Sequence, residues 1–262
     1  MSELRKRDAW ASLARHTAAR IALGRAGGSL PTQAVLDFRL AHALARDAVE
    51  MPFDADALLR ELESAGVSGV KLGTRATNRR DFLLQPELGR QLDEDSRTRL
   101  RELFQGSGAG AHDLCVVVSD GLSALAAERQ VLPLLRELWP QLSQLGVSLY
   151  PCFVVPFARV KLADELGQLL QAKHSLILLG ERPGLSSPDS LGAYLTFEPA
   201  PSRTDADRNC VSNIRPAGLP VTQAAHTLLQ LLRESRRLSV SGVALKVDSG
   251  PMILARPESQ QA

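Results

Sequence analysis

The chain has 262 residues, of which 44% are hydrophobic and 23% charged, and its formal net charge is +2. No apolar run approaches the ~20 residues of a membrane helix, and the interspersed charges form no basic block, so we expect neither a membrane protein nor a nucleic-acid-binding one. The charged start, Met1–Asp8, has no apolar core for a secretory signal, which predicts a cytoplasmic location.

Cysteines and histidines give no metal-binding pattern. Cys115, Cys152 and Cys210 are odd in number and lack metal-ligand spacing, which favours reduced thiols over disulfides or a metal site. His112 and His174 precede predicted strands, and we interpret them as surface or capping residues. No bound metal ion is therefore predicted.

Helical patterns dominate the N-terminal part of the chain. Pro31 suits a first helical turn, Asp54 is a capping residue, and Gly66 is a helix stop. These signals and the apolar spacing predict helices over 4–23, 31–44, 54–66 and 95–104. The run Gly106–Gly110 predicts a linker, because its glycines precede the next strand instead of following one.

Strands and helices alternate after this linker. The predicted strands are 115–118, 147–155, 176–179 and 193–197, and the predicted helices are 122–138, 162–170 and 223–237. Such alternation is typical of a mostly parallel sheet covered on both faces. We therefore predict an α/β protein, with a helical N-terminal domain at 1–108 and a Rossmann-like domain at 109–262 whose mostly parallel sheet is flanked by helices.

Polar segments follow the predicted strands, and the carboxyl ends of parallel strands meet at the edge where cofactors bind. These segments are Ser119–Gly121, Pro156–Val160, Gly180–Arg182 and a loop with Arg208–Cys210. Together with backbone donors near Ser123 they would suit a large polar cofactor. They contain no histidine, so a hydrolytic nucleophile is unsupported and Cys210 is interpreted as a thiol that does not react. Arg75, Arg79 and Arg80 are assigned to a solvated loop beside Asp81.

Several segments resemble one family, the small subunit of ethanolamine ammonia-lyase. They are Ala19–Gly28, Val118–Ala124, Gly180–Ser187, Asp189–Tyr194 and Arg208–Arg215. The resemblance extends from about Trp10 to Asp248, and the order of the segments makes it specific.

The resemblance implies an adenosylcobalamin-dependent lyase that converts ethanolamine to acetaldehyde and ammonia by a radical mechanism. In this family a large subunit with a TIM-type barrel binds the substrate and carries the catalytic residues, so none is expected on this chain. The small subunit covers the cofactor at the interface, with residues 1–108 expected to contact the large subunit and 109–262 to cover the corrinoid. The implied assembly has six large and six small subunits.

The resemblance also assigns the cofactor contacts to Val160, Glu181 and Cys210. We expect Val160 to pack against the corrin edge, Glu181 to accept hydrogen bonds from its amide arms, and Cys210 to touch the ligand without reacting. Relatives packaged in bacterial microcompartments carry a longer N-terminal extension. This chain begins near the shared core, which argues against packaging.

Two other interpretations stay open. A stand-alone corrinoid- or nucleotide-binding module could have the same fold, and a purely structural subunit could have the same sequence pattern. Exposed apolar surface on the helical half would favour an obligate subunit that is inactive alone, whereas a stable monomer that binds its ligand unaided would favour the module.

Overall fold

The computed structural model describes residues 5–6, 8–17, 19–104 and 112–246. The α-helices are α1 (Thr32–Glu50), α2 (Ala55–Ser64), α3 (Arg79–Leu84), α4 (Glu94–Phe104), α5 (Ala124–Gln144), α6 (Leu162–Leu169) and α7 (Val221–Leu238). The strands are β1 (Arg5–Lys6), β2 (Arg25–Ala26), β3 (Gly69–Lys71), β4 (Leu114–Ser119), β5 (Cys152–Val154), β6 (His174–Gly180), β7 (Leu191–Phe197) and β8 (Arg208–Ile214). Short 3₁₀ helices cover Ala11–His16, Leu88–Arg90, Asp205–Asp207 and Gly242–Ala244.

The main sheet has six strands in the order β3-β5-β4-β6-β7-β8. The first four strands pair in parallel, whereas β6–β7 and β7–β8 pair antiparallel. The predicted α/β class is confirmed, but the sheet is mixed rather than mostly parallel. Parallel neighbours need a crossover connection, usually a helix, and the segment between β6 and β7 contains no helix. The chain therefore turns back after β6, and β7 pairs with β6 in the antiparallel direction.

Apolar cores cover both faces of the sheet. Every residue of β4 is buried, and alternate side chains point to opposite faces. Val116 and Val118 pack with α2, α5 and α7, whereas Cys115 and Val117 pack with α4 and α6. Because β4 and β6 lie inside the sheet, their side chains are buried whatever their polarity. His174, at the start of β6, is therefore buried, and the predicted surface or capping role for it is wrong.

The N-terminal helices are confirmed in part. Helices α1, α2 and α4 match predictions, and Asp54 caps α2 by accepting the backbone N–H of Ala57. The helix predicted over 4–23 is wrong, because the described part of that segment contains strand β1 and the 3₁₀ helix Ala11–His16, and none of the residues of this 3₁₀ helix is buried. A helix gains most of its stability from packing an apolar face, which this segment lacks.

The sequence analysis did not predict strand β3, because a strand of three residues is too short to show an alternating hydrophobic pattern. It lies within the range predicted as the N-terminal domain and pairs with β5, which lies within the range predicted as the Rossmann-like domain. The predicted linker Gly106–Gly110 lies outside the described residues. In the described ranges, no helix combines the length and the apolarity needed to cross a membrane.

Candidate functional site

Three of the four predicted polar segments meet at the carboxyl edge of β4, β5 and β6. Asp120 Oδ1 accepts the backbone N–H of Phe157 at 2.7 Å, which joins the segments after β4 and β5. The N–H of Leu122 donates to the carbonyl oxygen of Gly180 at 2.9 Å, which joins those after β4 and β6. The predicted convergence of these three segments is confirmed.

Two glycines allow the backbones at this edge to touch. A Cβ on Gly180 would lie 2.1 Å from the carbonyl oxygen of Ser123, and a Cβ on Gly121 would lie 2.4 Å from that of Gly180. Gly121 also has a φ of +51°, which side chains rarely adopt. The start of α5 is therefore held directly against the end of β6.

The fourth segment does not behave as predicted. Residues 208–214 form strand β8 rather than a loop, and Arg208 pairs with Thr196 at the end of the sheet remote from the carboxyl edge. Cys210 lies within the strand, opposite Tyr194. The segment is an edge strand that alternates imperfectly between buried and exposed residues, and it has few β-branched residues, so its sequence lacks a strand signal.

Glu181 stands at the carboxyl edge and is held in place by two bonds to one oxygen. Its Oε2 accepts the hydroxyl of Ser190 at 2.5 Å and the backbone N–H of Asn213 at 3.2 Å. Its Oε1 lies over Gly192, where a Cβ would come within 3.0 Å of it. One oxygen thus orients the carboxylate, and the absence of a side chain at position 192 leaves room for the other.

Cys210 and Tyr194 project from the face of the sheet that also carries Glu181 over Gly192. Although Cys210 as a whole is exposed, burial of its thiol raises its pKa, and the nearby Glu181 carboxylate raises it further. Burial also raises the pKa of Tyr194, the partner of this thiol. A thiol with a raised pKa is a poor nucleophile.

Val160 lies in the segment that connects β5 to α6. Its half-buried side chain packs against the same core cluster as Tyr194, on the α6 side of the sheet. The Glu181 carboxylate and the Tyr194 ring both lie next to Gly192, and Tyr194 also contacts the Cys210 thiol. The structure thus places the three predicted site residues on one side of the sheet.

The segment between β6 and β7 is tied down along its length. The hydroxyl of Ser123 donates to the carbonyl oxygen of Pro188 at 2.7 Å, so part of this segment covers the start of α5. Arg129 pairs with Asp189 at 3.1 Å. Arg20 donates to the carbonyl oxygen of Leu185 at 3.3 Å, so the N-terminal segment reaches the candidate site.

A buried ion pair that the sequence analysis missed joins α6 to β8. Two guanidinium nitrogens of Arg208 lie 3.2 and 3.1 Å from the two carboxylate oxygens of Asp164. The side chains are 3% and 0% exposed. Burial raises the pKa of Asp164, and Arg208 opposes that rise. The pair links the helix that follows Val160 to the strand that carries Cys210.

Arg79 is also placed differently from the prediction. It lies in α3, and its Nη1 donates to Asp120 Oδ2 at 3.0 Å and to the carbonyl oxygen of Gly121 at 2.7 Å. Its side chain is only 16% exposed, so its assignment to a solvated loop is wrong. The capping residue Asn78, which accepts the backbone N–H of Asp81, was the sequence signal that could have located this helix.

Two pockets are lined by residues other than the three predicted ones. One, of about 400 Å³, is lined by residues of β3, α4 and the segment after β5, among them Lys71, Arg99 and Phe157. The other, of about 470 Å³, is lined by charged residues that include Arg97, Lys161 and Glu165. Val160, Glu181 and Cys210 line neither pocket. Among the described residues, no group of acidic, histidine or cysteine side chains could hold a metal ion.

Comparison with known proteins identifies the family. Residues 7–246 match the family model described as the ethanolamine ammonia-lyase light chain. The small subunit from Azotobacter vinelandii is 54% identical over 90% of this chain and 87% of its own length, and that from Pseudomonas fluorescens is 53% identical over 90% and 86%. The Xanthomonas campestris small subunit is 48% identical over 98% and 94%. The resemblance found in the sequence is confirmed, and the chain belongs to the ethanolamine ammonia-lyase small-subunit family.

Proposed function

We propose that this chain works as one part of a lyase complex that deaminates ethanolamine to acetaldehyde and ammonia with adenosylcobalamin. The catalytic large subunit, with a TIM-type barrel, would bind the substrate, and this chain would cover the cofactor at the interface. Six copies of each subunit are the proposed assembly. The parallel series β4–α5–β5–α6–β6 supports a Rossmann-like interpretation of the second domain.

The observation that carries the subunit proposal is the apolar surface of α1. Leu36, Leu40 and Leu44 recur every four residues and therefore form a stripe along this helix. Their exposed fractions are 51%, 62% and 51%. A stripe of exposed leucines is unfavourable in water unless another chain covers it. It favours the obligate subunit over the stand-alone module.

The residues at the carboxyl edge fit a large corrinoid. Glu181 presents an oriented carboxylate to accept hydrogen bonds from amide arms, and Val160 offers an apolar contact. The Cys210 thiol has a raised pKa and would touch the ligand without attacking it. When bound, adenosylcobalamin supplies the radical chemistry, and the residues of this chain orient it and exclude water.

The first test is reconstitution. We expect the chain, co-expressed with a large subunit from the same source, to release acetaldehyde from ethanolamine only when adenosylcobalamin is added. Each subunit alone should be inactive, because neither would form the complete cofactor site. A chain that stays monomeric, ignores the large subunit and binds a corrinoid or nucleotide unaided would instead support the stand-alone module.

A second test concerns the cofactor contacts. In the complex, Glu181→Ala should weaken adenosylcobalamin binding by about 10- to 100-fold, since a hydrogen bond to a charged group contributes roughly 1.5–3 kcal/mol. Cys210→Ser should have a smaller effect, since its proposed contact is with a neutral thiol. Glu198→Ala is the matched control, because this glutamate is exposed at the remote end of β7. Dissociation constants that do not change in the Glu181 and Cys210 variants would favour a purely structural subunit.

A further inference from the structure

Four arginines gather at the carboxyl edge of the sheet, and we call Arg79, Arg90, Arg159 and Arg182 the rim arginines. The guanidinium groups of Arg79 and Arg159 lie 5.0 and 3.9 Å from the centre of the Phe82 ring. Arg159 also donates to the carbonyl oxygen of Phe82 at 2.7 Å. Two of the four side chains are thus held in fixed positions by one aromatic residue.

Positive charge exceeds negative charge at this rim. Burial lowers the pKa of Arg159, and the neighbouring charges of Arg79, Arg90 and Arg182 lower it further. Asp120 and Glu50 are the carboxylates that oppose the charge of Arg79, and Asp120 already pairs with it. Even with Glu181, which stands at the same edge, these three carboxylates do not balance four guanidinium groups, so this edge is suited to an anion.

Several rim donors are buried without an acceptor. Among the described residues, no acceptor reaches Nε and Nη2 of Arg79 or Nε of Arg159. Buried polar groups almost always have partners, so these N–H groups indicate a ligand or partner group. The planar fork of a guanidinium group matches the oxygens of a phosphate and binds them through charge-assisted hydrogen bonds.

We propose that the rim arginines bind the phosphodiester in the nucleotide loop of the corrinoid. This inference rests on the proposed function. The amide arms of adenosylcobalamin are neutral, so the phosphodiester is the peripheral group that an arginine cluster would select. Arg159 precedes Val160 and Arg182 follows Glu181, so the cluster borders the proposed corrinoid contacts.

The test compares two corrinoids on the complex with the large subunit. Cyanocobalamin contains the phosphodiester, whereas dicyanocobinamide lacks the nucleotide loop. We expect Arg159→Gln to weaken cyanocobalamin binding about tenfold and to leave cobinamide binding unchanged, since only cobalamin has the group that Arg159 contacts. Arg182→Gln, at an exposed position, should act in the same direction, and the exposed Arg136→Gln on α5 is the matched control for charge.

Ionic strength provides a second measurement. Added NaCl should weaken cyanocobalamin binding to the unsubstituted complex, and should weaken it less in Arg159→Gln, because the variant has lost part of the attraction to the anion. A salt response that is equal in both proteins would overturn the inference.

The remaining outcomes separate the inference from the proposed function. If Arg159→Gln weakens the binding of both corrinoids equally, the arginine stabilises the fold and does not bind the phosphodiester. If it weakens only the association with the large subunit, the anion is a carboxylate of that chain. If the unsubstituted complex binds neither corrinoid, the proposed function itself fails.

Discussion

Replacing Arg208 by Met is expected to lower the free energy of unfolding by about 3–5 kcal/mol, because the variant leaves the Asp164 carboxylate buried without its partner. Both side chains are almost completely buried, and two nitrogens of Arg208 face the two carboxylate oxygens. Burial already raises the pKa of Asp164, so the unpaired carboxyl group should take up a proton more readily in the variant. Chemical denaturation at neutral pH measures the loss.

Two further variants test this account. Asp164→Leu combined with Arg208→Met should recover much of the lost stability, because it removes the buried charge together with its partner. Arg237→Met is the matched control, since Arg237 pairs with Glu234 on the surface of α7 and is 64% exposed. Equal losses in Arg208→Met and Arg237→Met would mean that the buried pair contributes no more than an exposed one.

Lowering the pH from 7.5 to 5 is expected to cost about 2 kcal/mol of stability through His174 alone. Burial lowers the pKa of His174 in the folded chain to about 4, from an ordinary value of 6.5. Between pH 6.5 and pH 4, His174 binds a proton in the unfolded chain but stays neutral in the folded chain. The contribution of neutral His174 to the free energy of unfolding is therefore fully present above pH 6.5 and is lost as the pH falls towards 4.

The surroundings of His174 explain the shift. Its Nε2 lies 3.0 Å from the hydroxyl of Ser235 in α7, and its ring packs against Phe197. Arg236 and Lys173 lower its pKa in addition to burial, and Asp113 opposes them. Among the described residues, no carboxylate hydrogen-bonds to the ring to replace the solvation that a charged imidazole would lose.

Urea unfolding at several pH values would measure the effect. The difference in stability between the unsubstituted chain and His174→Gln should shrink by about 2 kcal/mol between pH 7.5 and pH 5, because glutamine does not titrate. The exposed His226→Gln on α7 is the matched control for a histidine-to-glutamine change. A difference for His174→Gln that stays constant with pH would contradict the assigned pKa.

Local signals in the sequence were sufficient for many elements. The capping residue Asp54 marks α2, and the apolar run that forms β4 has the pattern of a strand buried on both faces. The segments after β4 and β6 carry part of the family resemblance, and together with the segment after β5 they converge at the sheet edge. These features could be predicted because each depends on a few neighbouring residues.

The tertiary structure decided the rest. Whether β7 runs parallel or antiparallel to β6, and whether 208–214 pairs at all, depends on hydrogen bonds to another strand, which no local pattern encodes. Arg79 and Asp120 are 41 residues apart, and Asp164 and Arg208 are 44 apart. Each of these side chains taken alone has the sequence character of an exposed charge. They are buried because the completed sheet brings opposite charges together, and an ion pair can be buried only where both partners arrive.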